Sequence, residues 1–262
     1  MKKALFCLLA LLVLAPSAWA QQKQPLEVTA DGTLEWHRDA KLYIARKNAV
    51  AKQGTSEIHA DTLTASYSEG AKNGAGGINI SRIDAEGGVR VLSDGSTATG
   101  DKGYYDVKTG YSELTGGDLM LKTPTDTVTA RDKLTYDAKK SEMNAYGQAK
   151  AVRGDDVITA DRLIGRFEKD ATGNSKMKEL EAVGNVVITT PTEVLQGERG
   201  VYNAKTNIAN ITGNVRIDRG ESFITGTRGE VDLNTNISKM YGGGTAPDGT
   251  SDGRVRGVFY PE

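Results

Sequence analysis

The residues that could do chemistry are few, and they are spaced in a way that argues against catalysis. Histidine occurs at two positions, His37 and His59. Neither has a second histidine, a cysteine or an acidic cluster at ligand spacing, so no zinc site is expected. His59 also occupies a place that threonine fills in four similar segments, which makes it a strand-face residue. Asp31, Asp61, Asp101 and Asp161 recur just after a small residue, and paired carboxylates can serve as acid and base in glycoside hydrolysis. Yet Glu198 takes the same slot in one copy, and Arg131 and Thr227 take it in others. A group that travels round a repeat in this way is a turn or surface group. The glycine-rich stretch Gly74 to Gly77 lacks the strand-to-helix setting of a phosphate loop. No catalytic residue, metal ligand or cofactor is expected, and the chain reads as a binding protein, not an enzyme.

The elements that position these residues are themselves repeated. An apolar-polar-small tripeptide ends at Ala30, Ala60, Ala130, Ala160, Gly197 and Gly226, with a weaker copy at Gly100. A glycine that opens a short alternating run keeps step with it, at Gly88, Gly117, Gly147, Gly184 and Gly213. From each glycine to the next small residue the distance is 12, 13, 13, 13 and 13. An aromatic follows the small residue as Trp36, Tyr67, Tyr105, Tyr136, Phe167 and Tyr202. The period is about 30 residues, the signature of a structure stacked from one supersecondary unit.

Each unit reads as strands. Leu180 to Ile188 and Val215 to Asp218 alternate with period two, which sends one face to a core and the other to water. Asp106 to Gly110, Asp137 to Lys140 and Asn203 to Asn207 are turns at matching places, and the recurrent glycines belong at bulges or tight corners. Residues 69–79 and 169–178 are polar, glycine-rich insertions that lengthen two repeats and read as loops. Residues 242–262 form a glycine-rich flexible tail by composition, ending in the basic-apolar segment Gly253 to Pro261.

The first twenty residues have the layout of a secretory signal peptide: Lys2 and Lys3, an apolar run from Ala4 to Leu14, and Ala18-Trp19-Ala20 as cleavage site. Beyond them no cysteine remains, so the exported chain must rely on backbone pairing and apolar burial. Without Lys2 and Lys3, 31 basic residues face 34 acidic ones, a net charge of about −3. No basic stretch stands out, so nucleic acid is a poor candidate partner. The expected organisation is a signal peptide over 1–20, a β-domain over 21–241 and the tail.

What remains is the apolar face. It can be an ordinary closed core, as in a structural β-solenoid, or a trough between sheets that receives a long apolar ligand. Periodicity does not separate these, since both bury the same residues.

The pattern apolar-x-Ala-x-Gly-Asn-Val-x-Ile, followed by Ile-Thr-Ala-Asp-x-Leu-x-Tyr, resembles the repeat of the LptA/OstA-like family of periplasmic lipopolysaccharide-transport proteins. The residues that carry the likeness are Leu180 to Ile188 with Leu195 to Tyr202, Ala145 to Phe167, and Ile211 to Gly226. The resemblance covers roughly residues 26 to 240; the two insertions and the tail depart from it. It implies a twisted, open β-jelly roll whose interior holds the acyl chains of lipid A. It also implies head-to-tail association through edge strands, placed here near Leu26–Leu34 and Phe223–Leu233. The partners implied are lipopolysaccharide, an LptC-like inner-membrane protein and the N-terminal OstA-like domain of the outer-membrane translocon, with localisation in the periplasm. Carried onto this chain, the lipid-lining residues would be Ile58, Leu63, Val89, Val91, Leu119, Leu121, Val128, Leu134, Ile158, Leu163, Val186, Ile188, Leu195, Val215, Ile217 and Ile224. A carrier of another lipid is a further alternative, because acyl chains look alike to an apolar trough.

Overall fold

The computed structural model describes residues 25–69, 78–170, 175–235, 237–243 and 253–260. The signal peptide expected over 1–20 lies outside the described residues. The described chain is all β. In order the strands are β1 (Glu27–Thr29), β2 (Thr33–His37), β3 (Leu42–Gln53), β4 (Ser56–Glu69), β5 (Ile78–Ser93) and β6 (Ser96–Asp106). Then come β7 (Tyr111–Thr115), β8 (Met120–Lys122), β9 (Thr127–Thr129), β10 (Lys133–Asp137), β11 (Glu142–Arg153) and β12 (Asp156–Lys169). The last six are β13 (Ser175–Thr189), β14 (Val194–Asn203), β15 (Ile208–Arg219), β16 (Ser222–Asp232), β17 (Ile237–Tyr241) and β18 (Arg256–Val258).

The strands group into two compact units, one of residues up to 124 with 129–143, the other of 125–128 with the chain from 144 onward. In the first, β1 and β2 pair in turn with β3, and β3, β4, β5 and β6 follow as successive antiparallel neighbours. Both β7 and β8 pair with β6, and β10 pairs with β7. In the second, β12 to β16 form an antiparallel run, with β17 and β18 both on β16. The expected all-β class, built from repeated antiparallel strand units, is the class the chain adopts.

Local chemistry explains the turns. The side chain of Asp137 accepts hydrogen bonds from the backbone amides of Lys139 and Lys140, at 3.0 and 3.1 Å. Asn203 does the same for Lys205 and Thr206, at 2.9 and 3.1 Å. A short polar side chain that mimics a backbone turn closes each connection.

The glycine that keeps step in the repeat has an equally local cause. Gly184 and Asn185 both lie in the left-handed region, at φ 76° and 48°, as do Gly213 and Asn214 at 82° and 48°. At each pair the register shifts, between Val183 and Val186 and between Thr212 and Val215. The result is a β-bulge in which two residues oppose one. The recurring carboxylate of the preceding strand sits against it. Asn185 donates to Asp161 at 2.9 Å and Asn214 to Glu198 at 2.7 Å, and the Gly117 amide donates to Asp101 at 2.7 Å. Asn48 donates to Asp31 at 2.7 Å in a further copy whose left-handed pair is Lys47–Asn48. The carboxylates therefore hold bulges, and the 13-residue spacing back from Ala60 lands on Lys47.

Three expectations need correction. Phe223–Leu233 is not an outer edge among the described residues, because β16 carries β15 on one side and both β17 and β18 on the other. The segment assigned wholly to a flexible tail contains β18, which pairs Arg256, Gly257 and Val258 with Thr225, Ile224 and Phe223. The two insertions are partly strand. Ile78 to Ile80 pair with Tyr67 to Glu69, and Ser175 to Met177 with Phe167 to Lys169, each beyond a register shift. In both places the extra residues lengthen the paired strands.

Candidate functional site

Directly opposed residues on antiparallel strands share a face, so the registers trace rows of side chains across each unit. In the first unit one row runs Ala51, Ile58, Val91, Ala98, Leu121. A second runs Leu34, Ala45, Leu63, Ala85, Gly103, Leu114, Leu134. A third runs Trp36, Tyr43, Ala65, Ile83, Tyr105, Ser112, Tyr136. The second unit repeats the arrangement, with Ile158, Ile188, Leu195, Ile217 and Ile224 in one row and Leu163, Ala182, Gly200, Ile211 and Gly229 in another.

Large and small residues alternate along these rows, and in the first unit the small ones leave space. One cavity, of about 290 Å³, is bounded by Leu26, Val28, Leu34, Trp36, Tyr43, Leu63 and Ile83 among others. A second, of about 90 Å³, is bounded by Ile58, Ile83, Val89, Val91, Leu121, Leu134 and Tyr136 among others. Ile83 belongs to both. The hollow therefore runs along the third row on either side of that one side chain.

Of the sixteen residues expected to line an apolar interior, Ile58, Val89, Val91, Leu121 and Leu134 meet in the smaller cavity and Leu63 in the larger. Leu119 and Val128 are buried. In the second unit Ile158, Leu163, Val186, Leu195, Val215 and Ile217 are buried, while Ile188 and Ile224 are half-buried. The sequence reading missed the residues that make the space: Ala45, Ala51, Ala85, Ala98 and Gly103. It also passed over Ile83 and treated the aromatics as a repeat marker only. The signal was present in the small residues that alternate with Val, Ile and Leu across the repeats.

Polar groups stand at the margins. Glu35, in the lining of the larger cavity, accepts hydrogen bonds from His37 and Arg46, both at 2.8 Å, and these hold its carboxyl down at about 2. His59 contacts Glu57 in the same manner, at 3.2 Å. Glu113, in the lining of the smaller cavity, takes Tyr111 at 3.0 Å and Lys133 at 3.1 Å. Among the described residues no group of three or more histidine, cysteine or acidic side chains is placed to hold a metal, and no helix is long and apolar enough to cross a membrane.

The model of the family described as "LptA/(LptD N-terminal domain) LPS transport protein" matches residues 27–142 and again 128–237. The chain belongs to this LptA/LptD N-terminal domain family of lipopolysaccharide-transport proteins. The double match follows the internal repetition, one copy of the family pattern after the other. A search of the curated proteins finds no match. Among solved structures the chain is similar to the crystal structure of LptH, the LptA homologous periplasmic component of the lipopolysaccharide transport device from Pseudomonas aeruginosa. That likeness is at 12% identity, over 91% of this chain and 96% of that one, with a TM-score of 0.23, too low to carry an argument.

Proposed function

We propose that this LptA/LptD N-terminal domain family member is a periplasmic carrier that shields the lipid A acyl chains of lipopolysaccharide in its apolar interior. It passes the lipid between an LptC-like inner-membrane component and the N-terminal OstA-like domain of the outer-membrane translocon, and copies of the chain associate head to tail. No step makes or breaks a covalent bond.

The observation that carries the reading is the pair of apolar cavities in the first unit that share Ile83 in their linings. A closed core would fill them with side chains. An acyl chain that enters leaves water at about 0.8 kcal/mol per methylene, while sugars and phosphates stay outside. The exposed Leu34 and Trp36 in β2 extend this apolar lining toward solvent.

The test is photo-crosslinking in cells with p-benzoylphenylalanine at Ile83, at Val91, and at the exposed Arg90 as control. Lipopolysaccharide adducts are expected at the two interior positions and not at Arg90. Adducts at none of the three would overturn the carrier reading in favour of a ligand-free structural role.

A further inference from the structure

The aromatic slot of the repeat carries a hydroxyl that the fold itself uses in some copies and not in another. Tyr67 accepts the indole N–H of Trp36 at 2.7 Å, and Tyr202 donates to Asn207 at 2.9 Å. Phe167 takes the same slot with no hydroxyl at all, and is just as buried. Tyr136 differs from all three. It is 8% exposed and lines the smaller cavity, and among the described residues its hydroxyl oxygen is the buried side-chain polar atom without a hydrogen-bond partner. A buried polar group left unpaired is costly and rare. Burial, with the nearby Asp137 charge, also raises its pKa, so the phenol remains a neutral O–H.

The hydroxyls of Ser112, Thr135 and Tyr105 line the same cavity, and none of them bonds the Tyr136 hydroxyl. Directly opposite stands Ser112, and the next row presents Leu114 and Leu134. Glu113 in the same lining is already engaged by Tyr111 and Lys133.

We propose that the Tyr136 hydroxyl is a specificity group that recognises a hydroxyl carried on an acyl chain inside the smaller cavity. This rests on the reading of the interior as an acyl-chain site. A phenol both donates and accepts, and a chain hydroxyl does the same, so the two satisfy each other where a bare methylene chain leaves the phenol orphaned. A site built to hydrogen-bond an oxygen discriminates strongly against the analogue that lacks it.

The experiment titrates the full chain, freed of bound lipid, with myristic acid and with 3-hydroxymyristic acid, in the wild type and in Tyr136→Phe. The wild type is expected to bind the hydroxylated acid about tenfold more tightly. Tyr136→Phe should bind both acids alike. Phe167 in the equivalent slot shows that the fold accepts a buried phenylalanine there, and an unchanged unfolding midpoint confirms it for the variant. A preference that survives in Tyr136→Phe, or no preference in the wild type, overturns the assignment of Tyr136 while leaving the acyl-chain reading in place. Binding of neither acid by the wild type overturns both.

Discussion

Arg153 grips Asp126 with two prongs, Nε to Oδ1 at 2.6 Å and Nη2 to Oδ2 at 2.8 Å, and the aspartate side chain has no exposure to solvent. Thr125 adds its hydroxyl to the same carboxylate at 2.6 Å. Both partners lie in the second unit, one from the short segment 125–128 and the other from β11. This pair therefore ties an excursion of the chain back to the strands that follow it.

Removing one member of such a pair strands the other charge away from water. Asp126→Ala should cost about 3–5 kcal/mol, read as a lower urea midpoint, and Asp126→Asn should fall between it and the wild type. A loss below about 1 kcal/mol would show that the pair behaves as an exposed one.

The bulges make a second prediction. A Cβ on Gly184 would lie 2.2 Å from the Asp161 carboxylate oxygen, and the residue has φ +76°. Gly184→Ala meets two penalties, backbone strain of about 1–2 kcal/mol and the clash. Combining it with Asp161→Ala removes only the clash. The double variant should therefore lose less stability than the sum of the two singles, as measured by a double-mutant cycle; strict additivity would contradict the contact.

Acid should weaken the second unit through Glu181. Burial acts to raise its pKa, but hydrogen bonds from Arg166 and Arg199 outweigh that and hold it below the ordinary carboxylate range. Since the folded value is depressed, its stabilisation is complete above the unfolded value of about 4.3. It is lost as pH falls through the folded value. In urea titrations, wild type and Glu181→Gln should differ at pH 7 and converge in acid. A difference that stays constant from pH 7 down to pH 3 would show that Glu181 is not the titrating group.

Ile83 offers a direct handle on the hollow. Ile83→Trp places a large ring in the lining that the two cavities share, so lipopolysaccharide crosslinking at Val91 should fall severalfold. Because the space is already there, overpacking should cost less than the roughly 1–3 kcal/mol seen in filled cores. Undiminished crosslinking would mean that the lipid path does not pass Ile83.

Much of this architecture was legible from residue types. The 13-residue phasing placed the bulges because glycine takes left-handed backbone at least cost, and the alternation placed the rows. The cover over β16 was not legible. β18 is a three-residue strand, Arg256–Val258, with a glycine at its centre, following a Gly-rich stretch, and so it has the composition of a tail. Its pairing comes from the open backbone of β16, which no local pattern encodes. The hollow was only half legible, since the sequence drew attention to Val, Ile and Leu, whereas the space is set by Ala45, Ala85, Ala98 and Gly103 across the registers.

The stacked bulges also solve a problem of proofreading. A strand that slips by one residue turns its apolar side chains to water, so alternation alone rejects that error. A slip by two restores both faces, and alternation is blind to it. Gly184 and Asn185 are not: moved by two, their left-handed pair would meet flat strand, and Asp161 would face a residue with a Cβ and no amide to offer. The carboxylates that looked like chemistry are registration marks, by which neighbouring strands of a repetitive chain find their places.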